Sequence, residues 1–402
     1  MKNKIKFEIP KPDEKEVRKL KEEAEKISQT IRKSGKVEVF IGGSLAKNTI
    51  IKKDKYDIDI FVRFPENKNI SEKLEKILKK SKLKSEKIHG SRDYFKLKRK
   101  NIFEIIPVLR IRKPEEAKNV TDLSYFHVSY ILKQMKKNKK LADEIILAKT
   151  FCYAQKCYGA ESYIKGFSGY ALELLVSYYG SFLGFVKAIA KAKKQIIIDP
   201  GKYFKNKQEI LLNLNEAKLQ SPIVFVDPTF KQRNALAALS SETFSRFQKA
   251  CIKFLKNPSK KFFHQEKINE KNFNVIIEAE TGKQEGDVAG SKLLKFFNFL
   301  VRDAENYFLI LRKDFEYDKK ARYYFKLKRR KERIFEGPVV SKLQNILAFK
   351  NKHKNVFIKN GRAYAREKIN FNFSNYLARF KKKNQQVMKD MGINKLKIVK
   401  FK

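Results

Sequence analysis

The stretch FIGGSLAKNTIIKKDKYDIDIFV, Phe40–Val62, sets two glycines and a serine shortly ahead of two aspartates. Before the glycines, Val37, Val39 and Ile41 alternate with Lys36, Glu38 and Phe40. That two-residue period predicts a strand over 36–41 ending at Gly42-Gly43-Ser44. Beyond a short polar segment, Asp57-Ile58-Asp59-Ile60-Phe61-Val62 alternates in the same way. Side chains two apart on a strand point to one side, so Asp57 and Asp59 share a face and repel.

Working outward, Val17, Leu20, Ala24, Ile27 and Ile31 fall at helical spacing and predict a helix from about Asp13 to Ser34. Residues 70–82 read as a second amphipathic helix, and IFEIIPVLRI, Ile102–Ile111, as a further strand carrying Glu104. Three acidic side chains on neighbouring strands of a small mixed sheet are thereby expected. A divalent cation offsets such repulsion directly, and Mg²⁺ is the default for one or two carboxylates plus substrate phosphates. With Glu104 as a third ligand, Asp57 and Asp59 could hold two metals for a phosphoryl transfer. The glycine turn would let backbone N–H groups at Gly43, together with Ser44, approach a triphosphate closely. Each signal alone also has an ordinary reading, an exposed strand edge or a simple turn. Their combination narrows the choice.

Helical periodicity dominates from Leu132 to Leu255, with faces such as Leu172, Leu175, Val176 and Tyr179. After Pro258 the order changes to strand (272–279), helix (287–301) and two strands (307–311 and 323–327), a compact α+β arrangement. KKARYYFKLKRRKER, Lys319–Arg333, mixes cations with aromatics. Two readings stay open there, a solvated strand pair or a surface that stacks bases and meets phosphates.

The 402 residues carry 92 Lys+Arg against 44 Asp+Glu, a net charge of +48 spread along the chain, which favours a polyanionic partner. A general compositional taste for lysine is the bland alternative. Three cysteines without a Cys-x-x-Cys pair, and four scattered histidines, support neither disulfides nor a zinc site, so a cytoplasmic setting is expected. The charged start MKNKIKFEIPKPDEKE lacks the apolar core of an export signal. The longest apolar stretch, Leu174–Val186, is short of the ~20 residues of a membrane span, so no membrane partner is expected.

Gly43-Ser44 followed by Asp57-x-Asp59 resembles the signature of the DNA polymerase β nucleotidyltransferase superfamily. Longer stretches resemble the archaeal (class I) CCA-adding enzymes, the tRNA nucleotidyltransferases. They are YGAESYIKGFSGYALELLVSYYGSF (Tyr158–Phe182), FVDPTFKQRNALAALS (Phe225–Ser240) and, more loosely, EGPVV (Glu336–Val340) and NGRAYAREK (Asn360–Lys368).

The resemblance implies an α+β multidomain fold. A polymerase-β-like nucleotidyltransferase head would span 1–131, a helical middle domain with the base pocket 132–257, and a basic α+β tRNA-binding region 258–402. It further implies an enzyme that adds or repairs the C-C-A end of tRNA from CTP and ATP, releasing pyrophosphate. Asp57, Asp59 and Glu104 would hold Mg²⁺, and Ser44 and Lys47 would sit at the triphosphate. His127, Lys149 and Tyr158 match nucleotide-binding positions, and Arg233 matches the arginine at the incoming base, with Asp227 nearby in sequence. Taken singly, His127 reads as a core histidine, Lys149 as a solvated helix lysine and Tyr158 as a core aromatic. Two departures stand out: Glu104 replaces the usual aspartate, and Lys47 replaces a common arginine, giving up its fork of donors. The expected partners are tRNA, CTP and ATP, and a homodimer is compatible with the sequence. A poly(A) polymerase-like terminal nucleotidyltransferase, or a non-catalytic RNA-binding protein on the same scaffold, are the rival readings.

Overall fold

Asp13 opens helix α1 (Glu14–Gly35) by accepting a hydrogen bond from Glu16 N, and the helix lays Leu20, Ala24, Ile27 and Ile31 on one buried stripe. Lys36 ends it in the left-handed region, so strand β1 covers only Glu38–Ile41, shorter than its alternation predicts. This computed structural model describes residues 9–66, 68–282 and 284–401.

Gly43–Ala46 forms a short helix, α2, where a turn was expected, and β2 (Asp57–Phe64) follows. Helix α3 (Ile70–Lys80) and strands β3 (Glu86–Ile88), β4 (Tyr94–Lys98) and β5 (Ile102–Leu109) complete a five-stranded sheet of order β1-β2-β5-β4-β3. The β2–β5 pair is parallel and the other pairs are antiparallel. Helices α1 and α3 cover one face, packing on Ile58, Ile60, Phe103 and Ile105. The opposite face is left for chemistry.

Helices α4 (Ser124–Lys137), α5 (Leu141–Ala154), α6 (Gly169–Tyr179) and α7 (Phe182–Lys191) follow. The long apolar run 174–186 is split by Gly180, in the left-handed region, into α6 and α7 at 93°, and both bury their apolar residues in one core. Among the described residues no single helix is long and apolar enough to cross a membrane.

Strand β6 (Ile196–Ile198), the short helices α8 (Lys207–Asn213) and α9 (Glu216–Leu219), and the strand pair β7 (Ile223–Asp227) and β8 (Phe230–Asn234) come next, before α10 (Ser241–Lys256). The helical reading of this region missed the three-stranded sheet β6-β7-β8. Pro228-Thr229 turns β7 back on β8, which sets Asp227 and Arg233 on one hairpin.

The chain divides into two compact units, one ending at Glu266 and the next beginning at Lys267. In the second, β9 (Val275–Thr281), α11 (Gly286–Ala304), β10 (Phe308–Tyr317) and β11 (Ala321–Arg329) extend the expected order. They are followed by β12 (Glu332–Val339), α12 (Leu343–Lys352), β13 (Val356–Lys359), β14 (Arg362–Lys368), α13 (Phe373–Lys383), α14 (Gln385–Asp390) and β15 (Ile393–Phe401). One sheet runs β10-β11-β9-β15 and another β12-β14-β13. In the aromatic-cationic run, Tyr323, Tyr324 and Phe325 are all buried, while Lys326, Lys328, Arg329 and Arg330 are exposed. The rings are core, so what this run exposes to a partner is cations such as Lys326, Lys328 and Arg329.

Candidate active site

Because β2 buries Ile58, Ile60 and Val62 beneath α1 and α3, Asp57 and Asp59 emerge on the uncovered face. The parallel register sets Glu104 of β5 abreast of Asp59, and the antiparallel one sets Lys96 of β4 abreast of Glu104. Lys96 Nζ lies 3.1 Å from Glu104 Oε1. Burial, then the neighbouring Glu104, pushes the Asp59 carboxyl up to about 7, with Lys47 opposing. Burial also raises Glu104, against the pull of Lys96.

Gly43 has a tighter task than a flexible turn. Its φ of +58° is left-handed, and a Cβ there would overlap Asp59 Oδ2, so the carboxylate rests directly on its Cα. Gly42 N donates to Asp59 O at 2.9 Å, tying α2 to β2. A cavity of about 360 Å³ opens beside them. Gly43, Ser44, Lys47, Asp57, Asp59, His127, Lys149 and Tyr158 line it. Glu104, Asp227 and Arg233 do not line it.

Both lysines are buried and bind one carboxylate. Lys47 Nζ donates to Glu173 Oε2 at 2.6 Å, and Lys149 Nζ to Glu173 Oε1 at 2.7 Å and to Thr49 Oγ1 at 2.9 Å. Burial would raise the Glu173 carboxyl, but Lys149 and Lys47 outweigh it and hold it down at about 2. Burial lowers Lys149, with Glu173 acting against the shift. Tyr158, whose hydroxyl burial drives up, stands beside Gly169, where a Cβ would come 2.9 Å from its oxygen.

Asp227 is buried at the end of β7 and accepts from Tyr170 Oη (3.1 Å), Thr229 N (2.9 Å), Thr229 Oγ1 (2.8 Å) and Arg233 Nη1 (2.5 Å). His127 Nε2 stands 3.3 Å from Asp227 Oδ2, outside hydrogen-bond geometry, and its ring stacks on Tyr170 at 4.0 Å. Burial lowers His127, with Asp227 opposing. For Asp227, burial is outweighed by His127 and Arg233, which hold its carboxyl well below the usual range. Arg233 thus reaches the cavity wall through Tyr170, over whose ring its guanidinium lies at 5.7 Å.

Sequence reasoning missed Glu173, Thr49, Tyr170 and Lys96. An isolated acid inside the apolar run of α6 was the available signal for Glu173. Lys96 could be found only once strand register was known.

The uncovered face also fits a cation. Among the described residues no three His, Cys, Asp or Glu side chains are grouped closely enough to hold a metal by themselves. Asp57 and Asp59 are nevertheless a repelling pair of hard oxygen donors, and phosphate oxygens could complete a Mg²⁺ shell around them. Glu104 enters such a site only in competition with Lys96.

A nucleotidyltransferase-domain family model matches residues 17–121, and the model of the tRNA nucleotidyltransferase second domain matches residues 143–264. Over 383 residues the chain is 33% identical to a CCA-adding enzyme of Nanoarchaeum equitans, covering 92% of this chain and 93% of that one. The chain belongs to the family of CCA-adding enzymes. The CCA-adding enzyme of Archaeoglobus fulgidus is 31% identical over 91% of this chain and 85% of its own length. That of Methanocaldococcus jannaschii is 30% identical over 88% and 84%. CCA-adding enzymes act on tRNA with nucleoside triphosphates, and this chain is accordingly a tRNA nucleotidyltransferase.

Among solved structures, a cytoplasmic RNA terminal U-transferase matches with a TM-score of 0.51 at 16% identity, over 64% of this chain and 95% of that one. A poly(U) polymerase bound to Mg and 3′-dATP matches with a TM-score of 0.50 at 14% identity, over the same shares. At such identity they report the shared fold of CCA-adding enzymes and terminal transferases. Nucleotidyltransferases of this polymerase-β type generally use a divalent metal.

Proposed function

We propose that the cavity beside Asp57 and Asp59 is where the tRNA 3′-hydroxyl meets CTP or ATP. The observation that carries this reading is the opposition of charges across it: two carboxylates on β2 face Lys47 and Lys149 around Ser44. In this reading Asp57 and Asp59, with Glu104 behind them, would hold Mg²⁺. Bound there, Mg²⁺ would activate the hydroxyl and neutralise charge on the α-phosphate and the departing pyrophosphate.

The chain's own groups do the rest. Ser44 and the N–H groups of α2 orient the triphosphate, Lys47 and Lys149 supply positive charge along it, and Tyr158 closes the wall beside Lys149. Attack on the α-phosphate forms the new P–O bond as the bond to pyrophosphate breaks. His127, its ring stacked on Tyr170, offers a hydrogen-bonding group at the cavity wall. Arg233, held by Asp227, presents donors for base acceptors, and its neighbours fix which way its fork points. The middle region, 132–257, would thus supply the base pocket and the head, 1–131, the chemistry.

Residues 258–402 would grip the tRNA body, meeting phosphates through exposed cations such as Lys326, Lys328 and Arg329 on a strand whose aromatics are internal. A cytoplasmic setting is consistent with Cys152, Cys157 and Cys251, all free and buried.

The test supplies a tRNA transcript lacking C-C-A, Mg²⁺ and labelled CTP or ATP, singly and together. CTP alone should add both cytidines, ATP alone nothing, and the pair should complete the end. Long ATP-only tails on unstructured RNA would favour a poly(A) polymerase activity instead.

A further inference from the structure

Glu173 is 1% exposed, yet it binds two ammonium groups that are themselves buried. Each carboxylate oxygen accepts from a different lysine, Lys47 through Oε2 and Lys149 through Oε1. Thr49 Oγ1 donates to Oε1 at 3.0 Å and accepts from Lys149. Three separate elements meet here: Lys47 and Thr49 follow α2, Lys149 lies on α5 and Glu173 on α6. All four residues line the cavity with Ser44.

A buried ion cluster is weak evidence for stability, because a well-packed apolar trio of similar volume often holds a fold as well or better. This cluster holds two cations and one anion. The surplus positive charge faces the cavity, next to the turn that carries Ser44. Lys149 places its N–H groups on Glu173 and on Thr49 Oγ1 and O, the last at 3.4 Å. Lys47 has Glu173 as its hydrogen-bond partner among the described residues, which leaves donors of its ammonium for a ligand.

We propose that Glu173 is a positioning residue for the nucleotide triphosphate, holding Lys47 and Lys149 side by side and aimed at the phosphates. The proposal rests on reading the cavity as the triphosphate site. Glu173 does not touch the substrate in this account. It keeps two like charges together in a dry place, so that the phosphates meet an arranged pair and not two lysines that have moved apart. A ligand rich in phosphate oxygens then supplies the negative charge that the cluster lacks.

The test measures KM for CTP, KM for tRNA, kcat, and inhibition by inorganic tripolyphosphate, in Glu173→Gln, Thr49→Val and Ser44→Ala, each checked by thermal melt. Glu173→Gln should raise both KM for CTP and the inhibition constant of tripolyphosphate by about tenfold or more, the scale of a charge-assisted contact. KM for tRNA should stay at the parent value and kcat at saturating CTP within about threefold. A purely structural role would instead depress all parameters together, or none in a folded variant, and either result overturns the proposal. If Glu173→Gln does not fold, Thr49→Val decides. It removes only the hydroxyl joining Lys149 to Glu173 and should give a smaller rise in the same two constants, and no rise overturns the proposal. Ser44→Ala separates the two levels. If it weakens CTP while the Glu173 and Thr49 variants do not, Glu173 has no positioning role. If none of the three changes CTP or tripolyphosphate binding, the cavity is not the triphosphate site and the proposal falls with that reading.

Discussion

Asp57, Asp59 and Glu104 on the sheet, and Lys47, Lys149 and Glu173 beside α2, are both ionic clusters at one site, but their charges are resolved differently. In the first, three acids have one bonded cation among the described residues, Lys96 on Glu104, and the repulsion surfaces as an Asp59 carboxyl pushed up to about 7 by burial and Glu104. In the second, the single acid has a partner on each oxygen and is held down at about 2. One cluster is strained by charge it lacks, and the other is locked by charge it shares. A metal–triphosphate complex supplies what each is missing, a cation to the acids and anionic oxygens to the lysines.

The largest effect that tests this contrast is on stability, and its sign should reverse between the clusters. Glu173→Gln strands two buried ammonium groups and should cost about 3–5 kcal/mol in denaturant unfolding. Asp59→Asn removes a repelling charge and should raise the melting temperature of the metal-free protein at pH 8. Mg²⁺ should then stabilise the parent but not this variant. Equal destabilisation by both substitutions would erase the distinction.

Acid sharpens the same point. The folded Glu173 carboxyl lies below its unfolded value, so its contribution is full above about pH 4.5 and is lost as pH falls toward 2. Urea melts of the parent should therefore weaken across that window. A Glu173→Gln variant that folds should lose less there.

For the base pocket, Arg233→Ala should reduce discrimination of CTP and ATP over UTP and GTP by about 10²-fold, with Arg233→Lys restoring part of it, read by single-turnover incorporation of each nucleotide. Smaller again is the effect at Glu104. Glu104→Asp should stay within about tenfold of parent activity, whereas Glu104→Gln should lose more, because an anionic oxygen matters more than its reach. A fully active Glu104→Gln would leave Glu104 as the partner of Lys96 alone.

How far these clusters could be read in the sequence depends on how local their causes are. Asp57 and Asp59 were legible because alternation along one strand needs no partner. The pairing of Glu104 with Asp59 and Lys96 is a matter of register between strands distant in sequence, which no local period encodes. Glu173 was an isolated acid inside an apolar run, with nothing local to give it a partner, and the chain brings two lysines to it across 126 and 24 residues. Gly43 was expected to admit phosphates, but its missing Cβ makes room for Asp59.

The second unit teaches a related limit. Tyr323 and Phe325 pack toward α11, while Tyr324 packs on Phe273 on the opposite face. Three consecutive aromatics can all be internal when both faces of a strand are covered, so their adjacency to cations was no sign of base stacking. Strands β12 to β15 went unread because they bury little: β12 and β13 bury no residue, β14 only the two small alanines Ala363 and Ala365, and β15 only Ile393 and Leu396, which are three apart.

The central claim is that Asp57 and Asp59 carry the chemistry of C-C-A addition. Its most direct test is single-turnover incorporation of CTP on tRNA lacking C-C-A, compared between the parent and Asp59→Asn at matched tRNA occupancy. The rate should fall by about 10³-fold or more while tRNA affinity stays at the parent value, because the carboxylate acts on reacting phosphates and not on the tRNA body. An Asp59→Asn enzyme that adds cytidine at near the parent rate would place the chemistry elsewhere.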